Sequence, residues 1–205
     1  MKKIIYSPGE PAGIGPDLII QLATSKAWEN FKIPIISVGD PNLFIERAKK
    51  LKKRLKVLEL DSVELVKKNK QSLIQVLKVS KCINTSPRNL SKINAQYVLD
   101  VLDYSIKQTI NNKKTALVTG PLSKETIISI DKNFTGHTEY IQKATKSHDV
   151  LMMLASNKLK VALATTHIPL KNVAKSITKN LLINKIKILD KDLRNKFNIA
   201  NPRIK

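Results

Sequence analysis

A single cysteine, Cys82, stands in 205 residues. It excludes an internal disulfide and suits a reducing compartment, so a cytoplasmic protein is expected. Long apolar runs are missing as well. The longest, Val150 to Ala155, has six residues, whereas a membrane-spanning helix needs about 20. The basic start Met1-Lys2-Lys3 is not followed by the apolar stretch of about 7–15 residues that marks a signal peptide. Glycine is scarce, with only six residues where about 7% is ordinary. Acidic residues are few too, 16 against 37 basic, which leaves a net charge of +21.

So much positive charge invites a nucleic-acid reading. The residue types point elsewhere. Lysine supplies 32 of the basic residues and arginine 5, while isoleucine adds 25 and asparagine 16. Lysine, isoleucine and asparagine share A/T-rich codons, so drift in an A/T-rich genome produces this excess without selection for polyanions. Base readers also favour the arginine fork. The lysines are dispersed, and the densest stretch, Lys49 to Lys56, lies on a predicted helix and its exit. A solvated surface is expected, and nucleic acid is not an expected partner. Hydrophobic residues at 42% and charged residues at 26% fit a globular chain.

Along the chain, apolar and helical signals alternate. Lys3–Ser7 reads as a strand, and a helix follows from about Pro16 to Lys26, with proline in the first turn. Ile33–Val38 reads as a buried strand, and Asp40 is placed to cap a helix from Pro41 to Leu51. Val57–Leu60 and Ser72–Val79 are weaker strands, and Asn84–Asn89 is a loop. Ser91 is placed to cap a long helix, Lys92 to Ile110, whose apolar residues include Ile93, Tyr97, Leu99, Val101 and Tyr104. Thr115–Val118 is a strand, and Ser123 opens a helix to Ile130. Val150–Ala155 and Val161–Thr165 form a predicted hairpin. A last helix runs from Lys179 to Phe197 with Thr178 as cap, and Asn201–Lys205 reads as a turn entering another strand. The alternation predicts a layered α/β fold, with the hairpin making its sheet mixed.

Five of the six glycines fall in three loops. Gly9, Gly13 and Gly15 lie between Ser7 and Pro16, Gly120 lies in Thr119-Gly120-Pro121, and Gly136 lies in Thr135-Gly136-His137-Thr138-Glu139. In a chain that has shed glycine, those that remain mark backbone with positive φ or close approach. The loops stand near strand ends, where open α/β sheets bind ligands. The first loop matches neither the G-x-G-x-x-G fingerprint nor a phosphate-binding P-loop. A rigid strand-to-helix turn explains it equally well.

The histidines differ in context. His148 lacks any supporting motif and reads as surface. His137, at a predicted helix start beside Thr138, offers a ring donor, a hydroxyl and free N–H groups to an anionic substrate. His167 follows an apolar strand directly, a good place for a metal ligand. For each, capping or packing is the competing reading. One histidine makes no metal site, which takes three or four ligands.

Together, Pro8-Gly9-Glu10-Pro11-Ala12-Gly13-Ile14-Gly15-Pro16-Asp17, Thr119-Gly120-Pro121, Phe134-Thr135-Gly136-His137-Thr138-Glu139 and Ala162-Leu163-Ala164-Thr165-Thr166-His167-Ile168-Pro169-Leu170 resemble the 4-hydroxythreonine-4-phosphate dehydrogenases of pyridoxal phosphate biosynthesis. The tail from Leu193 to Ile204 resembles them too, and the stretch from Arg54 to Ser91 least. The resemblance implies a three-layer α/β/α fold like that of isocitrate and isopropylmalate dehydrogenases, incomplete at its C-terminus. Residues 1–130 would be a first lobe and 131–205 the start of a second. It also implies a homodimer, NAD, a divalent metal (zinc, magnesium or cobalt) and oxidation of 4-phosphooxy-threonine. Carried over by motif, His137 and Thr138 would contact substrate and His167 would be one of three metal-binding histidines. No catalytic base and no NAD-binding residue is assigned. Family members are longer, so a truncated chain without activity of its own is expected. Oxidation of another vicinal hydroxy acid and a basic nucleic-acid-binding remnant remain the alternatives.

Overall fold

The computed structural model describes residues 2–83, 85–112 and 114–205. It comprises two compact units, Met1–Lys146 and Ser147–Lys205. The first contains strands β1 (Lys3–Ser7), β2 (Ile35–Gly39), β3 (Lys56–Leu60), β4 (Leu73–Lys78) and β5 (Thr115–Thr119). Its helices are α1 (Gly15–Thr24), α2 (Pro41–Lys50), α3 (Ala95–Asn111), α4 (Lys124–Ile128) and α5 (His137–Ala144).

The strands form one sheet in the order β3-β4-β2-β1-β5, and every pairing is parallel. Neighbouring residues on a strand bury themselves in different clusters. Ile5, Ile36 and Leu77 pack with Tyr97, Val98 and Val101 of α3. Tyr6, Ile35 and Val76 pack with Ile19 and Ile20 of α1 and with Phe44 of α2. Such two-sided burial is what a parallel sheet covered by helices on both faces requires. The three-layer α/β expectation holds.

The predicted hairpin does not join this sheet. In the second unit β6 (Met153–Ala155) and β7 (Lys160–Ala162) pair antiparallel as a separate two-stranded sheet, so the larger sheet is parallel and not mixed. The Ser156 hydroxyl accepts from Leu159 N at 3.0 Å and closes the turn between them. Helices α6 (Leu170–Ser176) and α7 (Lys179–Asn195) complete the unit. Lys185 ties α7 to the start of the hairpin by donating to Asp149 Oδ1 at 2.7 Å and to Val150 O.

Three helix caps stand where the sequence places them. Asp40 Oδ1 accepts from Asn42 N at 3.0 Å, Ser123 Oγ from Thr126 N at 3.3 Å, and Thr178 Oγ1 from Leu181 N at 3.2 Å. Ser91 instead opens a single 3-10 turn, Lys92–Asn94, that leads into α3. Ile93 therefore points away from the core and is 63% exposed. Residues 201–205 form no strand, because no neighbouring ladder receives them. Asn84, in the predicted loop, lies outside the described residues; residues 85–89 carry no helix or strand.

Candidate functional site

Parallel strands bring their C-terminal ends to one edge. There β1 and β5 are neighbours, with Ser7 opposite Thr119, so their two glycine loops leave the sheet side by side. Helix α1, after β1, packs with α2 on one face, while α4, after β5, packs against α3 on the other. Where the following helices diverge in this way, an open α/β sheet has its topological switch point.

The loops clasp each other there through backbone. Gly120 N donates to Ser7 O at 2.7 Å, and Glu10 N donates to Pro121 O at 3.0 Å. A Cβ on Gly9 would lie 2.2 Å from Pro121 O, and one on Gly120 would lie 2.4 Å from Pro8 O. Gly9 also has φ +76°, which L-residues reach only at a cost. These glycines are required by close approach, as the sparing use of glycine predicts.

A buried arginine fixes the outer turn of the first loop. Arg47, on α2, is 3% exposed. Its guanidinium donates to Gly13 O at 3.1 Å, to Pro11 O and to Asp17 Oδ1 at 2.9 Å. Within the turn, Glu10 Oε1 accepts from Ala12 N at 3.1 Å. The other oxygen, Oε2, is buried with no partner among the described residues. Burial raises the pKa of Glu10, and the Ala12 N–H offsets that only in part. The buried Tyr6 hydroxyl donates to Gly15 O at 2.9 Å, and burial pushes its pKa up to about 12, so it stays a donor.

The clasp leads directly into α4 and so places Lys124, its first residue. Lys124 in turn meets the third glycine loop. A Cβ on Gly136 would lie 3.5 Å from Lys124 Nζ and 3.5 Å from Glu139 Oε2. Gly136 has φ +150° and opens α5 without a side-chain cap. The amides of His137, Thr138 and Glu139 have no acceptor among the described residues, and the first return bond is Tyr140 N to Gly136 O at 3.1 Å. Helix α5 is held in place by its far side. Tyr140 donates to Asp103 Oδ1 of α3 at 2.7 Å, and its ring lies 5.5 Å from that of the buried Phe134.

His137 and Thr138 thus open α5 as expected, half-buried at its first turn. Burial lowers the pKa of His137, which keeps the imidazole neutral at pH 7, able to donate from one nitrogen and accept at the other. His167 lies in the second unit, exposed, between β7 and α6. Its backbone has φ +56°, an uncommon conformation for a residue with a bulky side chain. Among the described residues no three His, Cys, Asp or Glu side chains gather as a metal site. His148 is exposed, as read from the sequence. Arg47, Glu10 and Lys124 were not singled out by sequence motif.

Residues 31–205 match the model of a protein family described as pyridoxal phosphate biosynthetic protein PdxA. The chain belongs to this family. A 4-hydroxythreonine-4-phosphate dehydrogenase from Enterobacter sp. (strain 638) is 38% identical over 203 residues, which is 99% of this chain and 61% of that protein. One from Citrobacter koseri is 38% identical over 204 residues, again 61% of its length. The chain therefore spans about three-fifths of the length of the curated relatives it matches. Among solved structures, a Klebsiella pneumoniae 4-hydroxythreonine-4-phosphate dehydrogenase superposes with a TM-score of 0.89 at 24% identity, covering 99% of this chain and 62% of that one. A Burkholderia xenovorans terephthalate 1,2-cis-dihydrodiol dehydrogenase shares the fold at a TM-score of 0.68 and 16% identity, covering 98% of this chain and 59% of that one. By family, the chain resembles oxidoreductases of vitamin B6 biosynthesis. No helix among the described residues is long and apolar enough to cross a membrane.

Proposed function

We propose that this chain carries part of the active site of a 4-hydroxythreonine-4-phosphate dehydrogenase. The reaction is oxidation of 4-phosphooxy-L-threonine, with NAD as hydride acceptor, to 2-amino-3-oxo-4-phosphooxybutanoate. That β-keto acid then loses carbon dioxide to give 3-amino-2-oxopropyl phosphate. The observation that carries the proposal is the start of α5, where a neutral His137 and Thr138 stand on amides that no group among the described residues caps. A helix N-terminus with free N–H groups favours an anionic substrate. The Thr138 hydroxyl and the His137 ring suit hydrogen bonds to the substrate's polar groups.

His167 is the proposed metal ligand, and its left-handed backbone supports a special role, since such conformations concentrate at functional sites. The described residues do not by themselves fit a metal, because one histidine is present where three or four ligands are wanted. No step of the reaction is therefore assigned to a metal on this chain. NAD, a divalent metal (zinc, magnesium or cobalt), a homodimer and a cytoplasmic location rest on the family resemblance. In the same reading residues 1–130 form a first functional lobe, and 131–205 begin the side that carries substrate and metal contacts.

A second reading keeps the family and changes the substrate. It is favoured by the fold shared with the Burkholderia xenovorans dehydrogenase, whose name gives a different dihydroxy substrate. Isothermal titration of the chain with 4-phosphooxy-threonine separates the two. Binding that weakens at least about tenfold in both His137→Ala and Thr138→Ala supports the proposed substrate, a size expected for lost hydrogen bonds to a charged ligand. Absent binding, or binding indifferent to both substitutions, overturns it.

A further inference from the structure

We propose that the ammonium of Lys124 binds an anionic oxygen group of the substrate, a contact that no motif assigned. This rests on the substrate site proposed above at His137 and Thr138. Lys124 reaches the start of α5 from a different segment. Its Nζ and Cε both lie 3.5 Å from where a Cβ on Gly136 would stand. A Cβ there would make ordinary van der Waals contact with the ammonium, so Lys124 Nζ stands directly beside the backbone that opens α5.

The charge is unspent. Lys124 has no hydrogen bond or ion pair among the described residues, although the Glu139 carboxylate approaches the same point. One ammonium and three unbonded amides therefore face a single carboxylate, and the balance favours an incoming anion. The backbone position is also fixed. The Ser123 hydroxyl caps α4, and the clasp between Pro121 and Glu10 anchors the segment just before it. These contacts fix the backbone from which Lys124 extends, while its exposed side chain still has to order on binding. On 4-phosphooxy-threonine the anionic group is either the phosphate or the carboxylate.

The test is an NMR titration of the 205-residue chain, following the amide signals of His137 and Thr138. The ligands are 4-phosphooxy-threonine and 4-hydroxythreonine, which lacks the phosphate. Lys124→Ala should raise the Kd for 4-phosphooxy-threonine at least about tenfold, the loss expected for a charge-assisted hydrogen bond. Lys124→Arg should restore most of it, and Lys132→Ala, at an exposed lysine, should leave it unchanged. A loss confined to 4-phosphooxy-threonine puts Lys124 on the phosphate. An equal loss for both ligands puts it on the carboxylate. Lys124 is exposed, so its variants should keep the wild-type unfolding midpoint read from Trp28. If Lys124→Ala binds within about twofold of wild type while His137→Ala does not bind, the lysine is no substrate contact and the site stands. If neither ligand moves the two amides in the wild-type chain, the site and the lysine contact both fall.

Discussion

Replacing Gly9 with alanine should be among the most damaging single-methyl additions in the first unit. Two costs combine. The backbone at φ +76° would hold an L-residue in the left-handed region, at about 1–2 kcal/mol. The new Cβ would lie 2.2 Å from Pro121 O, so the two loops must part. Parting them stretches the bond from Glu10 N to Pro121 O, worth about 1 kcal/mol net, and leaves buried polar groups unpaired. The total is about 3 kcal/mol. Gly13→Ala is the matched control. Its φ is not in the left-handed region, and its nearest neighbours would be Glu10 O at 3.2 Å and Glu10 Cβ at 3.3 Å. The lower unfolded-state entropy of alanine opposes that crowding, so the net change should stay within about 1 kcal/mol. The readout is the urea midpoint by tryptophan fluorescence. Trp28 is the only tryptophan and is 1% exposed in the core of the first unit, so the signal reports that unit alone. With a urea slope of about 2 kcal/mol per molar, Gly9→Ala should lower the midpoint by about 1.5 M. Equal midpoints for Gly9→Ala and Gly13→Ala would refute the clasp as the reason for glycine at position 9.

Three further outcomes follow from the same geometry. Arg47→Ala should destabilise the first unit by about 3 kcal/mol, because three acceptors lose one buried donor group, and Arg47→Lys should recover less than half of it, since an ammonium lacks the fork; urea midpoints decide this. Glu10 has a raised pKa, so the folded chain retains a proton that the unfolded chain releases. Its stabilising contribution is present below its ordinary value of 4.5 and is lost as pH rises through the folded value. Glu10→Gln should accordingly match wild type in acid and equal or exceed it at neutral pH, and a variant less stable at neutral pH than in acid, relative to wild type, would contradict the burial argument. Zinc should bind the chain weakly, because His167 supplies one ligand where about three are wanted; tight stoichiometric binding by isothermal titration, abolished in His167→Ala, would mean that further ligands lie in this chain.

Much of the architecture is written in local signals. Asp40, Ser123 and Thr178 are short polar side chains ahead of helical patterns, and each caps its helix. Pro16 stands in the first turn of α1, and Ile35–Gly39 is buried throughout. What escaped the sequence depends on distant partners. Nothing near Arg47 announces that Pro11, Gly13 and Asp17 will surround it. The hairpin was legible as two strands and a turn, but whether it joins the larger sheet is a tertiary outcome. Helix α6 has Pro169 at its cap position and only seven residues, so it lacks a start signal. The last helix illustrates a partial success. Of its apolar residues, Leu182 and Ile186 are exposed, Leu181 and Leu189 are partly buried, and Leu193 is buried. Leu159, Val161, Leu182, Ile186 and Ile204 line an open groove of about 780 Å³ in that unit. The helix start at His137 and Thr138 is legible because it is a local feature. The approach of Lys124 to Gly136 is not, because it joins two segments through the fold.

The central claim is that these 205 residues supply substrate contacts and one metal ligand, but not the whole active site. NADH formation from 4-phosphooxy-threonine, with zinc, magnesium or cobalt present, tests it most directly. The chain is assayed alone and fused to the portion of the Enterobacter relative that it does not match. Hydride transfer needs its partners held within about 3–3.5 Å, so the chain alone should give no turnover above the rate without protein. The fusion should turn over and should lose activity in His137→Ala and in His167→Ala. Turnover by the chain alone, lost in His167→Ala, would contradict the claim, as would an active fusion indifferent to both histidines.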